Sequence, residues 1–194
     1  MKLSLDVAVP SSHAWIDTVL HDFNSFLQDH ADCERKASAM AMSMVAKYPD
    51  RSEIIPDLIE TAIEELDHFN QVYHIMKERG VSLPSSMQED PYIKALLVQM
   101  KTPVLQRFLD RLLVGSLVEM RGAERFKMIE ENLNDPELKK FYKMLWTSEA
   151  KHGNIYVKMA LNYFTHNEVY QRLHWWVEKE AEIISVLPLR PALH

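Results

Sequence analysis

Apolar residues recur every three or four positions along most of this chain, and the pattern breaks only at short polar or proline-marked turns. A first helix is expected to start after Pro10, where Ser11 or Ser12 can cap it. It runs to Lys47, and Tyr48-Pro49 stops it because a residue before proline disfavours helix. The second begins near Pro56 and ends at Arg79, with Gly80 just past the end, where a left-handed backbone favours glycine. A looser stretch with Pro84, Ser85 and Ser86 follows, and Asp90-Pro91 opens a short helix over 92–100. The third long helix spans about 104–131, with Asn132-Leu133-Asn134 as the turn out of it. Asp135-Pro136 supplies an N-cap and a first-turn proline for the fourth, which continues to Phe164. Thr165-His166-Asn167-Glu168 has the form of a capping box for a fifth helix over 167–186, and the tail LPLRPALH reads as irregular. Long helices joined by short turns favour antiparallel packing, so the expected class is all-α: a four-helix bundle with an additional C-terminal helix.

Each of the four long helices interrupts its own apolar seam with a glutamate. The seams read Phe23, Leu27, His30, Glu34, Ala37, Ala41, Met44; then Leu58, Ala62, Glu65, His68, Val72, Ile75. The third and fourth read Leu112, Ser116, Glu119, Gly122, Phe126, Ile129, and Leu138, Tyr142, Leu145, Glu149, His152, Tyr156, Met159. Burying an ionised carboxylate is costly unless something compensates it. Four facing one core would repel one another, and two dications would neutralise them. Glu65-Leu66-Asp67-His68 and Glu149-Ala150-Lys151-His152 are both Glu-x-x-His, which places a carboxylate and an imidazole on one helix face. Glu34 precedes Glu65 by about the same distance as Glu119 precedes Glu149, so the chain repeats a lone-glutamate helix followed by a Glu-x-x-His helix. Dinuclear iron and manganese carboxylate bundles use this arrangement of two lone glutamates and two Glu-x-x-His pairs. The expected metal ligands are therefore Glu34, Glu65, His68, Glu119, Glu149 and His152. Oxygen and nitrogen donors suit iron or manganese, and the choice between those metals stays open on residue chemistry alone.

Composition narrows the class without naming a function. The 194 residues are enough for one domain with a real core, and only 4 are glycine. Cys33 is the single cysteine, so no intrachain disulfide is possible. No signal-like leader or membrane-length apolar run is seen, which fits a protein of the reducing cytoplasm. A net charge of −6 argues against a general nucleic-acid coat. Lys77, Arg79, Lys94, Lys101 and Arg107 surround the irregular stretch 80–103 and are either phosphate contacts or solvated surface charge. Arg121, Arg125 and Lys127 with Glu124 read as a salt-bridged face. His30, one turn before Glu34, is either an outer partner of the metal ligands or a hydrogen-bonded core histidine. Small residues near the lone glutamates (Ala37, Ala41, Ser116, Gly122, Ala123) leave either a pocket for oxygen or substrate or simply close helix packing. Tyr142, Tyr156, Trp175 and Trp176 read as packing residues, with the tyrosines also placed to line a cavity.

The stretches FLQDHADCERKA, IEELDHFNQVYHIMKERG, LLVGSLVEMRGAERF and FYKMLWTSEAKHGNIYVKMA resemble the tRNA-(2-methylthio-N6-isopentenyladenosine) hydroxylase family over about residues 15–165. The resemblance implies a single ferritin-like domain over 1–194, a non-haem di-iron centre, and O2-dependent hydroxylation of the isopentenyl group on the modified adenosine at tRNA position 37. It implies Glu34 and Glu119 as terminal carboxylates, Glu65 and Glu149 as bridges, and His68 and His152 as ligands to one iron each. The family pattern carries serine where Gly122 stands and cysteine where Ala123 stands, neither a ligand position. Expected partners are the anticodon-loop adenosine of tRNA and an external electron-donor protein, with no membrane and no DNA. The alternatives are another ferritin-like di-metal oxidase or peroxidase, an iron-storage or ferroxidase protein, and a metal-free helical interaction module.

Overall fold

A computed structural model describes residues 2–86 and 89–194, which form seven helices and no strands. Of the irregular stretch 80–103, positions 87 and 88 lie outside the described residues. The described residues gather into two compact units, one of 2–16, 89–188 and 194, the other of 17–86 and 189–193.

The second unit is built on a helix pair. α1 (His13–His21) leads into α2 (Phe23–Lys47), so the single helix expected to Lys47 is broken at Asp22. Asp22 has φ −131° and ψ 66°, and its carboxylate accepts from the Ser25 amide at 3.1 Å and the Ser25 hydroxyl at 2.7 Å. That local bond competes with helix continuation and restarts the chain as an N-cap. α3 (Ile55–Glu78) returns antiparallel to α2 across a short turn, and the Ser38 hydroxyl donates to the Ala62 carbonyl at 2.7 Å between them. α3 ends where expected. Gly80 has φ +68°, its amide donates to Lys77 O and the Val81 amide donates to Met76 O, which satisfies the last carbonyls of the helix.

In the other unit α4 (Pro91–Gln99), α5 (Val104–Asn132), α6 (Pro136–Leu161) and α7 (His166–Val186) pack together. Asp90 and Asp135 cap α4 and α6 from just before a proline, as the sequence implied. The capping box at Thr165 and Glu168 is formed in both directions. α6 ends at Leu161 rather than Phe164. The amides of Tyr163 and Phe164 turn back onto Ala160 O, and both rings pack on Phe108, with centroids 5.4 and 6.0 Å away. The tail is irregular but not loose: Ala192 and Leu193 are buried, the Leu193 amide donates to Asp29, and the His194 ring stacks on Tyr92 at 5.0 Å. Among the described residues no helix is long and apolar enough to cross a membrane.

Candidate metal centre

Glu34, Glu65 and His68 come together on α2 and α3. All three are buried, and one donor atom from each lies within 4.8 Å of the others. His68 Nδ1 is 3.2 Å from Glu65 Oε2 and 3.7 Å from Glu34 Oε2. His30 takes part as well: its Nε2 lies 2.7 Å from Glu34 Oε1, the distance of a charge-assisted hydrogen bond donated to the carboxylate. Burial would raise the Glu34 carboxyl, but hydrogen bonds from His30 and His68 outweigh it and hold the group below the usual carboxylate range. Burial would likewise lower the His68 imidazole, yet Glu34 and Glu65 push it up to about 10. The core of this unit therefore holds a proton on His68 at neutral pH, and a cation binding there must displace it.

Glu119 on α5 gathers with Glu149 and His152 on α6. These three are buried, and again one donor atom from each lies within 4.8 Å of the others. Small residues permit the approach of the two helices. The Ser116 hydroxyl donates to Gly153 O at 2.7 Å, and Gly115 lies under the Tyr156 ring. A Cβ on Gly122 would sit 3.8 Å from Glu149 Cγ and Oε2, so this glycine borders the carboxylate. Ala123 looks elsewhere. It lines a groove of about 670 Å³ with Lys2, Ser4, Met120, Trp146 and Ala150, which includes none of the six expected ligands. Ser116 is thus a packing residue, Gly122 a border of the triad, and Ala123 part of a separate surface.

Each triad offers two carboxylates and one imidazole. A first-row dication bound at about 2.1 Å holds its oxygen and nitrogen ligands roughly 3–4 Å apart, and the donor atoms already lie close to that spread. The +2 charge would offset two buried carboxylates, so the donor set fits iron or manganese.

Other buried polar residues serve packing. The ion pair expected between Arg121 and Glu124 is formed, but Arg121 is fully buried rather than on a surface face. Its guanidinium grips Glu180 of α7 at 2.8 and 3.0 Å, Glu124 at 3.0 Å and the Val9 carbonyl at 2.8 Å. Asp110 accepts from Arg172 at 2.6 Å, from the Trp176 indole at 2.9 Å and from the Lys101 amide at 2.8 Å. Trp176 is buried, and Arg172 lies 3.8 Å over Trp175. Tyr142 packs on Phe126 and Phe141, a core role. Glu180 and Asp110 escaped the sequence reading, although Glu180 carried a visible signal. It interrupts the seam Val169, Leu173, Trp176, Glu180, Ile183 of α7 just as the six expected ligands interrupt theirs.

Residues 4–194 match the protein family described as tRNA-(MS[2]IO[6]A)-hydroxylase (MiaE). The chain is 37% identical over 178 residues to a tRNA 2-(methylsulfanyl)-N(6)-isopentenyladenosine(37) hydroxylase of Pseudomonas putida, covering 91% of this chain and 85% of that one. A protein of the same name from Salmonella typhimurium is 25% identical, covering 90% and 82%. Among solved structures, a Synechococcus protein with aldehyde deformylating oxygenase activity superposes with a TM-score of 0.91 at 31% identity, covering 97% of this chain and 94% of that one. The fold is all-α and ferritin-like.

Proposed function

Because the chain belongs to the MiaE family of tRNA hydroxylases, we propose that it is a di-iron monooxygenase that hydroxylates the isopentenyl group of 2-methylthio-N6-isopentenyladenosine at tRNA position 37. The observation that carries this reading is the matched pair of buried triads, Glu34/Glu65/His68 and Glu119/Glu149/His152. Each unit holds one triad of its own, and we take residues 1–194 as one functional domain. A pair of irons bound there would supply the activation of O2 that C–H hydroxylation needs.

The protein's own contribution is placement and charge. His30 fixes Glu34 through Oε1, so this ligand is oriented by a neighbour outside the triad. In the other triad Gly122 leaves the flank of Glu149 without a side chain. Burial of all six residues keeps bulk water from the donor atoms. One oxygen atom of O2 goes into the alcohol and the other leaves as water, which takes two electrons and two protons. An external electron-donor protein is the source of the electrons. The substrate places this work in the cytoplasm, with the anticodon-loop adenosine as the macromolecular partner.

The Synechococcus likeness favours one competing reading, an oxygenase acting on aldehydes with the same ligands. Nucleoside analysis of tRNA from cells lacking the gene, with and without its restoration, separates the two. Loss of the hydroxylated nucleoside, accumulation of its precursor and reversal on restoration are the expected results. An unchanged profile in cells that make the precursor would overturn the tRNA assignment and leave the aldehyde reading standing.

A further inference from the structure

The basic residues beside the stretch 80–103 do not share one fate. Lys94 is paired with Glu89 at 2.8 Å, and the Arg79 guanidinium lies 5.4 Å over the Phe23 ring. Lys101 and Arg107 differ from these, and Arg111, one turn beyond Arg107 on α5, joins them. None of these three side chains has a hydrogen bond or an ion pair with any described residue. Between Pro91 and Val118 the only acid is Asp110. It is fully buried, is gripped by Arg172 and the Trp176 indole, and accepts the Lys101 amide at 2.8 Å. Asp110 thereby fixes the turn into α5 without placing a negative charge at its surface. In a chain of net charge −6, the solvent-facing charges of 91–118 are all positive.

Arg111 is half-buried. Its Nε is shut off from solvent with no hydrogen-bond partner among the described residues, while its two terminal nitrogens stay open to solvent. The stem is packed in place and the end of the guanidinium faces outward, so little side-chain freedom remains to be lost when an anion binds. Arg107, also half-buried, stands four residues earlier on the same helix face, with Cβ atoms about 6 Å apart. Both guanidiniums can therefore reach one phosphate group or two adjacent ones. Like charges at this spacing repel, and a bound anion relieves that repulsion.

We propose that Lys101, Arg107 and Arg111 bind backbone phosphates of the substrate RNA beside its modified adenosine. The inference rests on the tRNA hydroxylase reading, because that substrate brings phosphates within one nucleotide of the carbon to be hydroxylated. Arg111 precedes Glu119 by eight residues on α5, roughly 12 Å along the helix axis. The planar fork of a guanidinium matches phosphate oxygens, and such contacts position the RNA without reading its sequence.

Binding of a synthetic anticodon stem-loop RNA carrying the modified adenosine to the iron-loaded full chain, followed by fluorescence anisotropy from about 50 to 200 mM salt, is the test. Arg107→Gln with Arg111→Gln should raise the dissociation constant at least ~10-fold. It should also lower the slope of log affinity against log salt by about 1.4, the value for two phosphate contacts on a single strand. Lys101→Gln, at an exposed position, should lower the slope by about 0.7. Lys94→Gln, whose charge is already paired, should leave affinity and slope unchanged. Circular dichroism and iron content should match the wild type in every variant. Binding indifferent to the double change, or to Lys101→Gln, would overturn the proposal and leave this corner to an acidic protein such as the electron donor. An equal loss for Lys94→Gln would overturn it too, because general charge would then account for the effect. A wild type with no affinity for the stem-loop would overturn the tRNA reading itself, and this inference with it.

Discussion

Replacing Glu180 with Ala takes the forked carboxylate partner from the fully buried Arg121. Arg121 and Glu180 are both fully buried, and two parallel N–H···O bonds of 2.8 and 3.0 Å join them in the forked geometry that suits guanidinium and carboxylate. Tyr92 also donates to Glu180, at 3.3 Å. Removing one partner of a buried ion pair costs about 3–5 kcal/mol, because the other charge stays in a poorly solvated place. Arg121 keeps Glu124 and the Val9 carbonyl, so the lower end, about 3 kcal/mol, is expected. All four tryptophans, 15, 146, 175 and 176, lie in the unit that holds this pair, so intrinsic fluorescence follows its unfolding selectively. With a urea m-value of about 2 kcal/mol/M, the midpoint should fall by roughly 1.5 M. The double change Arg121→Met with Glu180→Leu removes both charges and should recover most of that loss. A midpoint shift under about 0.5 M for Glu180→Ala, or a double variant less stable than the single, would refute the account of this pair.

Three further outcomes follow from the same geometry. Hydrogen bonds from His194 and from the Tyr92 and Ile93 amides overcome burial and hold the Asp90 carboxyl at about 2, below its ordinary 3.8. A lowered carboxyl stabilises the fold above the unfolded value, so about 2 kcal/mol should be present above pH 4 and lost as pH falls from about 4 to 2. Asp90→Asn keeps the helix cap and should abolish that pH dependence in urea titrations between pH 2 and 5. Gly122→Ala meets Glu149 only at ordinary contact distance and should gain about 0.5–1 kcal/mol of helix stability, whereas Gly115→Ala presses within 3.0 Å of the Tyr156 ring and should lose about 1–3 kcal/mol, both read by tryptophan fluorescence. His30→Phe keeps the ring volume but takes the donor from Glu34, and iron affinity in a chelator competition should fall about 10- to 100-fold with the fold retained.

Helix existence and most helix ends were legible from caps and prolines. Asp90, Asp135, Thr165 and Gly80 each act through a bond between near neighbours, which a single sequence displays. The break at Asp22 was missed because apolar periodicity runs through it, and only the Ser25 pairing reveals the restart. The early end of α6 depends on Phe108, far away in the chain, and no local pattern announces it. For the site, the glutamate-in-seam signal selected buried positions: all six expected ligands are buried, in two triads. The same signal marks Glu180, whose compensation is Arg121. A carboxylate in an apolar seam therefore reports that a positive charge is needed, and at Glu180 that charge is a guanidinium from another helix. The identity of Arg121 as a core residue was hidden because its partner lies on another helix, 59 residues on.

The central claim is that six named residues hold two irons. The direct measurement is iron per chain after anaerobic loading and desalting, for the wild type and for Glu65→Ala and Glu149→Ala. The account predicts about two irons per chain for the wild type and a clear loss in both variants, with helicity unchanged. Full iron content in either variant, or a wild type that retains none, would contradict it.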